Sequence, residues 1–443
     1  MKRLAFALLA ASLAAPAGAQ DFDQGETLAP PIGRVLPLRE QAKLRDAWTR
    51  ERLDTIVPRI MRERGIDMWV LVAREYFEEP ALATMLDAES FSARRRTILV
   101  FHDPGGGKPI ERLTVSRYGL GGLFQPAWDP ARQPDQWRAF AALVAERAPR
   151  KIAINASPLS AFADGMTLSE HGQMMAALSP RYRARVVRDE QLAVRWLETR
   201  IPAEMAVYPS IVRMAHGIIG EAFAAIEPGK TTSADVVWWM RQRVADLGLD
   251  TWFQPSLGII RRGAPAWLED DTVIERGDLL WTDFGITYLG LNTDTQHLAY
   301  VLKRGERDAP DGLKAGLAAA NRVQDHLTSA FRTGDTGNAV LARARAAAIA
   351  DGLTPSIYSH PIGNHGHGAG APIGMWDNQA GDARGAAYRI RPDTAWSIEL
   401  NARVAVPEWD GQAVEFRSEE DAFFDGTRVL YLDGRQTRLH LVR

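Results

Sequence analysis

Apolar positions in the first half of the chain alternate between helical and strand spacing. A 3.6-residue period runs through residues 44–64, and compact apolar runs follow at residues 68–72, 97–101 and 151–155. Apolar runs separated by segments of helical length are typical of an α/β domain. We therefore predict an N-terminal α/β domain over residues 20–200.

The pattern changes after Pro202, which ends the preceding helical segment. Helical spacing covers residues 203–225 and 234–247, and one long helical stretch follows at residues 311–349. The remaining segments are short apolar strands divided by Gly, Asp and Pro. This pattern predicts an α+β domain over residues 203–443, in which the strands carry the polar residues.

The N-terminus has the three parts of an export signal. A basic start at residues 2–3 precedes an apolar run at residues 4–13, and the small residues 17–19 follow. This order predicts a cleaved signal peptide over residues 1–19 and a periplasmic or secreted protein, with cleavage after Ala19. An N-terminal membrane anchor is the alternative. No later run approaches the roughly 18 apolar residues that a membrane span needs, so we expect no membrane partner.

Composition narrows the chemistry. The chain has 53 basic and 55 acidic residues and no basic stripe, which argues against nucleic acid as a partner. It has no cysteine, which excludes disulfides and thiolate ligands. A metal ion would have to bind carboxylates and imidazoles.

Two aspartates mark a candidate cation site. Asp283 ends an apolar strand, and Asp294 follows eleven residues later on the predicted returning strand of a hairpin. Two carboxylates that face each other across a hairpin repel unless a cation lies between them. The alternative is that both residues belong to unrelated turns.

Further candidate ligands follow in the same half. His360, His365 and His367 lie within eight residues of a glycine-rich loop, which leaves imidazoles accessible. Glu399 lies between apolar neighbours in a predicted strand, and Glu419 precedes an apolar aromatic run. Each acid alone could be a satisfied core residue, but their order on successive strands indicates one metal site.

This order resembles the pita-bread metallohydrolases, a family that includes methionine aminopeptidase, proline-specific aminopeptidase and dipeptidase, and creatinase. The matching motifs are G-D-x-x-x-x-D-x-G at residues 277–285, G-H-G-x-G at residues 366–370, I-E at residues 398–399 and an R-x-E-D-D-like segment at residues 417–421. The resemblance covers residues 203–435. The preceding half is similar to the N-terminal domain of creatinase and of proline-specific aminopeptidases.

The resemblance implies an α+β fold with a C-terminal pita-bread domain, and a homodimer. It also implies two divalent metal ions (Mn, Co, Zn or Fe). The implied ligands are Asp283, Asp294, His367, Glu399 and Glu419. His365 is the alternative imidazole ligand, and an acid close to Glu419 is the alternative last ligand. His360, His365 and Glu399 are assigned to catalysis, with Glu399 as the proton carrier.

The implied activity is that of a metallopeptidase acting on short peptides or small amides, with Xaa-Pro bonds as the first expectation. A creatinase-like amidinohydrolase or a lyase on the same scaffold is the second interpretation. A binding protein that has lost catalysis is the third.

The sequence departs from the family at three positions. Two histidines that the peptidases carry near the metals are missing, and Trp267 and Trp376 stand at or near their places. His297 stands where the family usually has an arginine. We predict that these three residues contact the substrate, since an indole can pack an apolar group or stack a cation.

Overall fold

The computed structural model describes residues 30–268 and 271–443. The predicted signal peptide, residues 1–19, lies outside the described residues. None of the helices in the described part of the chain is long and apolar enough to cross a bilayer.

The first half forms a six-stranded mixed sheet between helices. Its helices are α1 (Leu38–Arg64), α2 (Pro80–Ala83), α3 (Gln136–Arg147), α4 (Leu168–Ala177), α5 (Pro180–Arg183) and α6 (Glu190–Glu198). Its strands are β1 (Met68–Arg74), β2 (Arg96–His102), β3 (Glu111–Thr114), β4 (Gln125–Pro126), β5 (Ile152–Ile154) and β6 (Val186–Arg188). The strand order is β4-β3-β2-β1-β5-β6, with β1 antiparallel to β2 and parallel to β5.

The central strand β1 is apolar from residue 68 to residue 73 because both of its faces are covered. Trp69 and Leu71 belong to the core that includes α1 and α6, whereas Met68 and Val70 pack with α3 and α4 on the other face. Successive side chains of a strand point to opposite faces, so a strand between two helical layers needs an uninterrupted apolar run. The predicted α/β class of this half is confirmed.

The second half contains four small sheets with helices packed around them. Its helices are α7 (Pro202–Met205), α8 (Tyr208–Ala224), α9 (Ser233–Asp246), α10 (Asp311–Thr328), α11 (Gly337–Ala350) and α12 (Ala383–Ala387). Its first strands are β7 (Ser256–Ile260), β8 (Leu279–Phe284), β9 (Thr287–Tyr288), β10 (Leu291–Asn292), β11 (Thr295–Val301), β12 (Pro355–Ile357) and β13 (His360–Ile362). Its last strands are β14 (Thr394–Ser397), β15 (Leu400–Val406), β16 (Gln412–Ser418), β17 (Asp421–Phe424), β18 (Val429–Tyr431) and β19 (His440–Val442).

Two pairs of consecutive strands pass from one sheet to another. The sheet β13-β14-β17-β18 adjoins the sheet β12-β15-β16, because β14 continues into β15 and β16 continues into β17. The breaks fall at residues 398–399 and 419–420, between the pairs Ser397↔Asp421 and Leu400↔Ser418. The third sheet, β19-β11-β8-β7, meets this junction through a bridge between Gln296 and Glu419. The α+β class with a pita-bread second half is confirmed.

Two predicted helices are each divided in the structure. Residues 203–225 form α7 and α8, since Pro209 at the start of α8 has no backbone N–H and cannot continue α7. Residues 311–349 form α10 and α11, with a turn at Gly334 where φ is 90°. The predicted division of the chain at residues 200–203 stays a prediction, because one hydrophobic cluster continues across it.

Gly316 in α10 packs against the sheet and Gly172 in α4 does not, so alanine substitutions at the two positions should have opposite effects on stability. A Cβ at Gly316 would lie 2.0 Å from Phe416 Cζ on β16, so Gly316→Ala should destabilise the protein by roughly 1–3 kcal/mol. Gly172 in α4 has open space around it, and Gly172→Ala should stabilise by roughly 0.5–1 kcal/mol. Denaturant unfolding of both variants measures this, and equal effects would contradict the packing described for α10.

Candidate metal centre

A hairpin brings the two predicted aspartates together. Asp283 is the penultimate residue of β8 and pairs with Gln296 of β11, and Asp294 immediately precedes β11. The backbone N–H of Asp294 donates to Asp421 Oδ2 over 3.1 Å, which fixes the return of the chain. One oxygen of each aspartate lies within 4.8 Å of an oxygen of Glu419.

The two glutamates lie where the strands change sheets. Glu399 occupies the break between β14 and β15, and Glu419 occupies the break between β16 and β17. The Ile398 N–H donates to the Glu420 carbonyl over 2.9 Å, which holds the two breaks side by side. An interruption of regular pairing turns these side chains towards the aspartates of the third sheet.

The His360 ring faces Asp294, Glu399 and Glu419. Its Nε2 lies 3.6 Å from Asp294 Oδ2, 3.6 Å from Glu419 Oε1 and 3.9 Å from Glu399 Oε2. Its Nδ1 lies 3.0 Å from the Pro361 carbonyl, which can only accept a hydrogen bond. That contact places the proton on Nδ1 and directs the lone pair of Nε2 towards the acids, as in a metal-binding histidine.

The charges in this cluster are not balanced by the protein. Burial raises the pKa of Asp283, Asp294 and Glu399 well above the usual range, and repulsion from Glu419 adds to the effect. Asp283 Oδ1, Asp294 Oδ1 and His360 Nε2 are buried and have no hydrogen-bond partner. Unpartnered carboxylate oxygens and an imidazole nitrogen are ligands that divalent cations take, so the residues fit a metal.

The structure brings both His360 and His367 close to the acids, since possible ligand atoms of Asp294, His360 and His367 lie within 4.8 Å of one another. His360 begins β13 and pairs with Ser397, whose hydroxyl hydrogen-bonds Glu419. The His367 ring is exposed at the cavity, and its centroid lies 4.8 Å from that of His360. The expectations that His367 is the imidazole ligand and His360 a catalytic group stay predictions, and the structure adds His360 as a second candidate ligand.

His365 lies away from the acids. Its ring packs 4.4 Å from that of Phe162 in the first half of the chain, and burial lowers its pKa to about 4. Its neighbour Asn364 accepts a hydrogen bond from Arg200 over 3.0 Å, which draws this part of the loop towards the first half. The predicted roles of His365 as catalytic group or alternative ligand are not supported by this position.

The acids and His367 border a cavity of about 580 Å³ with aromatic walls. The aromatic residues that line it are Trp252, Phe253, Trp281, Tyr358 and Trp376. Arg417 and Glu415 also line it, and the Arg417 guanidinium lies 4.8 Å from the centroid of Trp281. The cavity therefore combines a deep acidic end, an apolar wall and one cationic side chain near that wall.

The two tryptophans predicted to contact substrate differ in position. Trp376 lines the cavity and is 74% exposed. Among the described residues, the cavity lining does not include Trp267, which packs against Trp281 and Arg417. A bridge between Ile259 and Leu268 aligns its segment with β7. The prediction of direct substrate contact by Trp267 is therefore corrected, since it supports the wall from behind.

His297 also lies outside the cavity, because its neighbour Gln296 points to the acids and successive residues of β11 face opposite sides. Its Nε2 lies 3.2 Å from Glu420 Oε1, and its Nδ1 lies 3.1 Å from His440. Glu420 also contacts His216, whose other ring nitrogen contacts Asp433. The prediction of a substrate contact by His297 is wrong, since His297 belongs to a buried network behind the cavity.

Three residues near the acids were not assigned a role from the sequence. Gln296 donates to Glu399 and Glu419, Ser397 hydrogen-bonds Glu419, and Trp252 lines the cavity beside His367. Side chains alternate along a strand, so the assignment of Asp294 as a ligand already indicated that Gln296, two residues later, faces the same side. Trp252 lies on a turn distant in sequence, where no periodic pattern predicts its direction. The assignment of Asp283, Asp294, Glu399 and Glu419 as ligands stays a prediction.

Comparisons with known proteins give a match to one family model and a shared fold. The sequence model of metallopeptidase family M24 matches residues 210–422. X-Pro aminopeptidase from Thermotoga maritima MSB8 superposes with a TM-score of 0.62 at 16% identity, over 86% of this chain and 99% of that chain. Xaa-Pro dipeptidase from Bacillus anthracis gives 0.56 at 17% identity, over 91% and 100%.

A third solved structure has a different description. The N-terminal domain of FACT complex subunit SPT16 from Cicer arietinum gives a TM-score of 0.56 at 12% identity, over 89% of this chain and 98% of that chain. At such identities these likenesses establish the fold alone. The comparison with curated protein sequences found no match.

The position of His360 predicts which histidine variant loses metal. His360→Ala should reduce the metal content of the purified protein at least tenfold, because it removes an unpartnered ligand atom. His365→Ala is the matched control from the same loop and should keep its metal. Elemental analysis after dialysis measures the metal content of both variants. Loss of metal from His365→Ala but not from His360→Ala would show that His365 is the ligand.

The network around Glu420 predicts a pH-dependent stability. Burial disfavours a charged imidazole, but hydrogen bonds with Asp433 and Glu420 outweigh it and raise the pKa of His216 to about 10. The unfolded pKa is about 6.5, so the charged ring stabilises fully below that pH and less as the pH rises through 10. His216→Gln should therefore cost roughly 3–5 kcal/mol near pH 6 and less near pH 10.

Denaturant unfolding at the two pH values measures this difference. His326→Gln removes a partly exposed histidine that contacts Asp351, and it should cost below about 1 kcal/mol at both. An effect of His216→Gln that is equal at pH 6 and pH 10 would show that the positive charge is not the source of stability.

Proposed function

We propose that the protein is an exported metallohydrolase that cleaves short peptides, because the sequence model of metallopeptidase family M24 matches residues 210–422 of this chain. One observation carries the proposal. Possible ligand atoms of Asp283, Asp294 and Glu419 lie within 4.8 Å of one another, as do those of His360, Glu399 and Glu419, at the acidic end of an aromatic cavity. The N-terminal signal over residues 1–19 supports export.

The ligands proposed for two divalent ions are the four carboxylates and His360. Divalent ions held there would lower the pKa of water and polarise a substrate carbonyl. The alternative last ligand, Glu415, is 42% exposed in its side chain and forms an ion pair with Arg417, so Glu419 is the better candidate.

Glu399 has the properties of a proton carrier. It lines the cavity at its acidic end. A carboxylate at this position can take a proton from an attacking water and pass it to a leaving amine. His367 and Tyr358 border the same space and offer polar groups for orienting a substrate carbonyl.

Arg417 supplies the charge complement of a peptide carboxylate. Its guanidinium lies 4.8 Å from the ring centroids of both Trp267 and Trp281, on one side of that pair. A planar guanidinium binds a carboxylate through two parallel hydrogen bonds. The adjacent aromatic wall accommodates an apolar ring such as that of proline, so Xaa-Pro peptides are the first substrates to test.

A small cationic substrate is the second candidate. Glu415 and Trp376 lie at the cavity, and an acid beside aromatic faces suits a guanidino or sulfonium group. This arrangement favours the creatinase-like or lyase interpretation. A binding protein without catalysis is the third candidate, and metal content separates it from the other two.

A substrate screen with metal removal tests the proposal. The protein is dialysed against a chelator and assayed with Xaa-Pro dipeptides, other dipeptides, and small guanidino and sulfonium compounds, before and after addition of Mn, Co or Zn. We expect peptide hydrolysis that chelation abolishes and metal restores. Hydrolysis that survives with no metal bound would contradict the mechanism, and turnover of the small cations alone would establish the second candidate.

Substitution of the proposed proton carrier gives a sharper prediction. Glu399→Gln should lower kcat at least 100-fold, within the range of general acid–base catalysis. Glu79→Gln is the matched control, because Glu79 is a buried carboxyl group with a pKa raised by burial to about 7 in the first half of the chain. The control should keep its kcat. Unchanged kcat in Glu399→Gln would remove the proposed role.

A further inference from the structure

A second cavity adjoins the one that holds the acidic cluster. It has a volume of about 360 Å³, and we refer to it as the outer cavity. Two residues, Trp281 and Arg417, line both cavities. One chain segment also follows both, because Trp252 and Phe253 line the first cavity and residues 254–258 line the outer one. The two cavities therefore meet at Trp281 and Arg417.

The outer cavity borders the free edge of a sheet. β7 is the edge strand in the order β19-β11-β8-β7. Its outer side is closed at Ile259, which exchanges backbone hydrogen bonds of 3.0 and 2.7 Å with Leu268. Backbone groups of successive strand residues point to alternate sides, so those of Leu257 point outward as well.

The outward backbone groups of Leu257 are available to a ligand. Among the described residues, none forms a backbone hydrogen bond with Leu257 on this outer side. Leu257 also lines the outer cavity. One N–H donor and one C=O acceptor of the edge strand can therefore pair with an extended chain that enters this cavity.

The distance from the acidic cluster fits the spacing of a peptide. Ser256 of β7 pairs with Asp283 of β8. Adjacent strands lie about 4.8 Å apart, so a chain added to the outer edge of β7 would lie about 10 Å from the strand of Asp283. This separation corresponds to about three residues of extended chain, which rises about 3.3 Å per residue. A peptide whose first residue lies at the acids would bring its third and fourth residues to Leu257.

Helix α9 gives the outer cavity an aromatic side. Trp238 lines this cavity and is 62% exposed. The Arg241 guanidinium lies 5.5 Å from the Trp238 ring centroid and donates to Gln254, which lines the same cavity. An exposed indole beside a strand edge suits a peptide, whose backbone binds the edge while a side chain packs on the ring.

Arg417 lies where the two cavities meet and can serve peptides of either length. A guanidinium has donors only, so it can bind the terminal carboxylate of a dipeptide or a backbone carbonyl of a longer peptide. A dipeptide that ends at Arg417 leaves the outer cavity unused. A longer peptide gains whatever contacts the outer cavity offers.

We propose that the outer cavity is an extended peptide-binding site, in which the third and fourth substrate residues pair with β7 at Leu257 and pack against Trp238. The site selects peptides of more than two residues over dipeptides. This inference rests on the peptide hydrolysis proposed above and adds a length preference with its own structural determinants.

Kinetics with peptides of increasing length test the inference. The metal-loaded protein is assayed with the dipeptide Ala-Pro, the tripeptide Ala-Pro-Ala and the tetrapeptide Ala-Pro-Ala-Ala. The tetrapeptide should have a kcat/KM at least about tenfold above that of the dipeptide, because it adds backbone hydrogen bonds and an aromatic contact.

Methylated tetrapeptides test the strand pairing on the unaltered protein. One peptide carries an N-methyl group on its third backbone nitrogen and the other carries it on the fourth. Successive N–H groups of a strand point to opposite sides, so only one of the two faces β7. One methylated peptide should therefore lose about tenfold in kcat/KM, and the other should keep its value.

A protein variant tests the aromatic contact. Trp238→Ala should lower the ratio of kcat/KM for the tetrapeptide over the dipeptide by at least about threefold. Phe91→Ala is the matched control, because Phe91 is an aromatic residue of the first half that is 96% exposed. The control should keep the ratio. The methylated peptides give an answer even if a variant does not fold.

The outcomes distinguish this inference from the proposed function. Equal kcat/KM values for the dipeptide and the tetrapeptide would overturn the extended site and leave the proposed peptide hydrolysis intact. A length preference that both methylated peptides keep would overturn the pairing with β7, and one that Trp238→Ala keeps would overturn the contact with Trp238. A metal-loaded protein that hydrolyses none of the peptides would overturn both proposals together.

Discussion

Repulsion among four buried carboxylates is the constraint on which the second half of this structure depends. Asp283, Asp294, Glu399 and Glu419 lie close together in a region where burial disfavours charge. Such a cluster is unfavourable in an apolar interior unless cations or protons neutralise it. The fold nevertheless presents these groups from strands and strand junctions, which are among the best-ordered parts of a protein. The strands and strand junctions therefore hold the four carboxylates close together before any ligand binds.

The two strand breaks explain how distant segments meet at one point. Regular strands direct alternate side chains to opposite faces, so one sheet alone cannot bring four acids into contact. The breaks at residues 398–399 and 419–420 release Glu399 and Glu419 from this alternation at the edge where the sheet of β8 and β11 approaches. Gln296 then joins the sheets through its backbone and its side chain. Behind the same junction, the charge of Glu420 is balanced within its own network. The charge of the acidic cluster is not balanced by that network, so a bound cation is needed there.

The sequence predicted the structural class of both halves. Burial on both faces of β1 produces a continuous apolar run, and the short strands of the second half produce short apolar segments. The sequence also predicted the four acids as ligands, since each ends or interrupts an apolar run, and the structure brings these acids together while their role as ligands stays a prediction. It did not anticipate that His360 lies among the acids as well as His367, because the pairing of His360 with Ser397 cannot be recognised in a single sequence. The directions of Gln296 and His297 on opposite faces of β11 follow from the alternation of side chains along that strand.

Anomalous diffraction from crystals grown with Mn²⁺ or Zn²⁺ tests the central claim most directly. The account predicts anomalous peaks within bonding distance of the acidic cluster, at Asp283, Asp294 and Glu419 or at His360, Glu399 and Glu419. A peak at His365, or at the network of His216 and Glu420, would contradict it. Metal-loaded crystals with no peak among the four carboxylates would show that the cluster is neutralised by protons and not by metal.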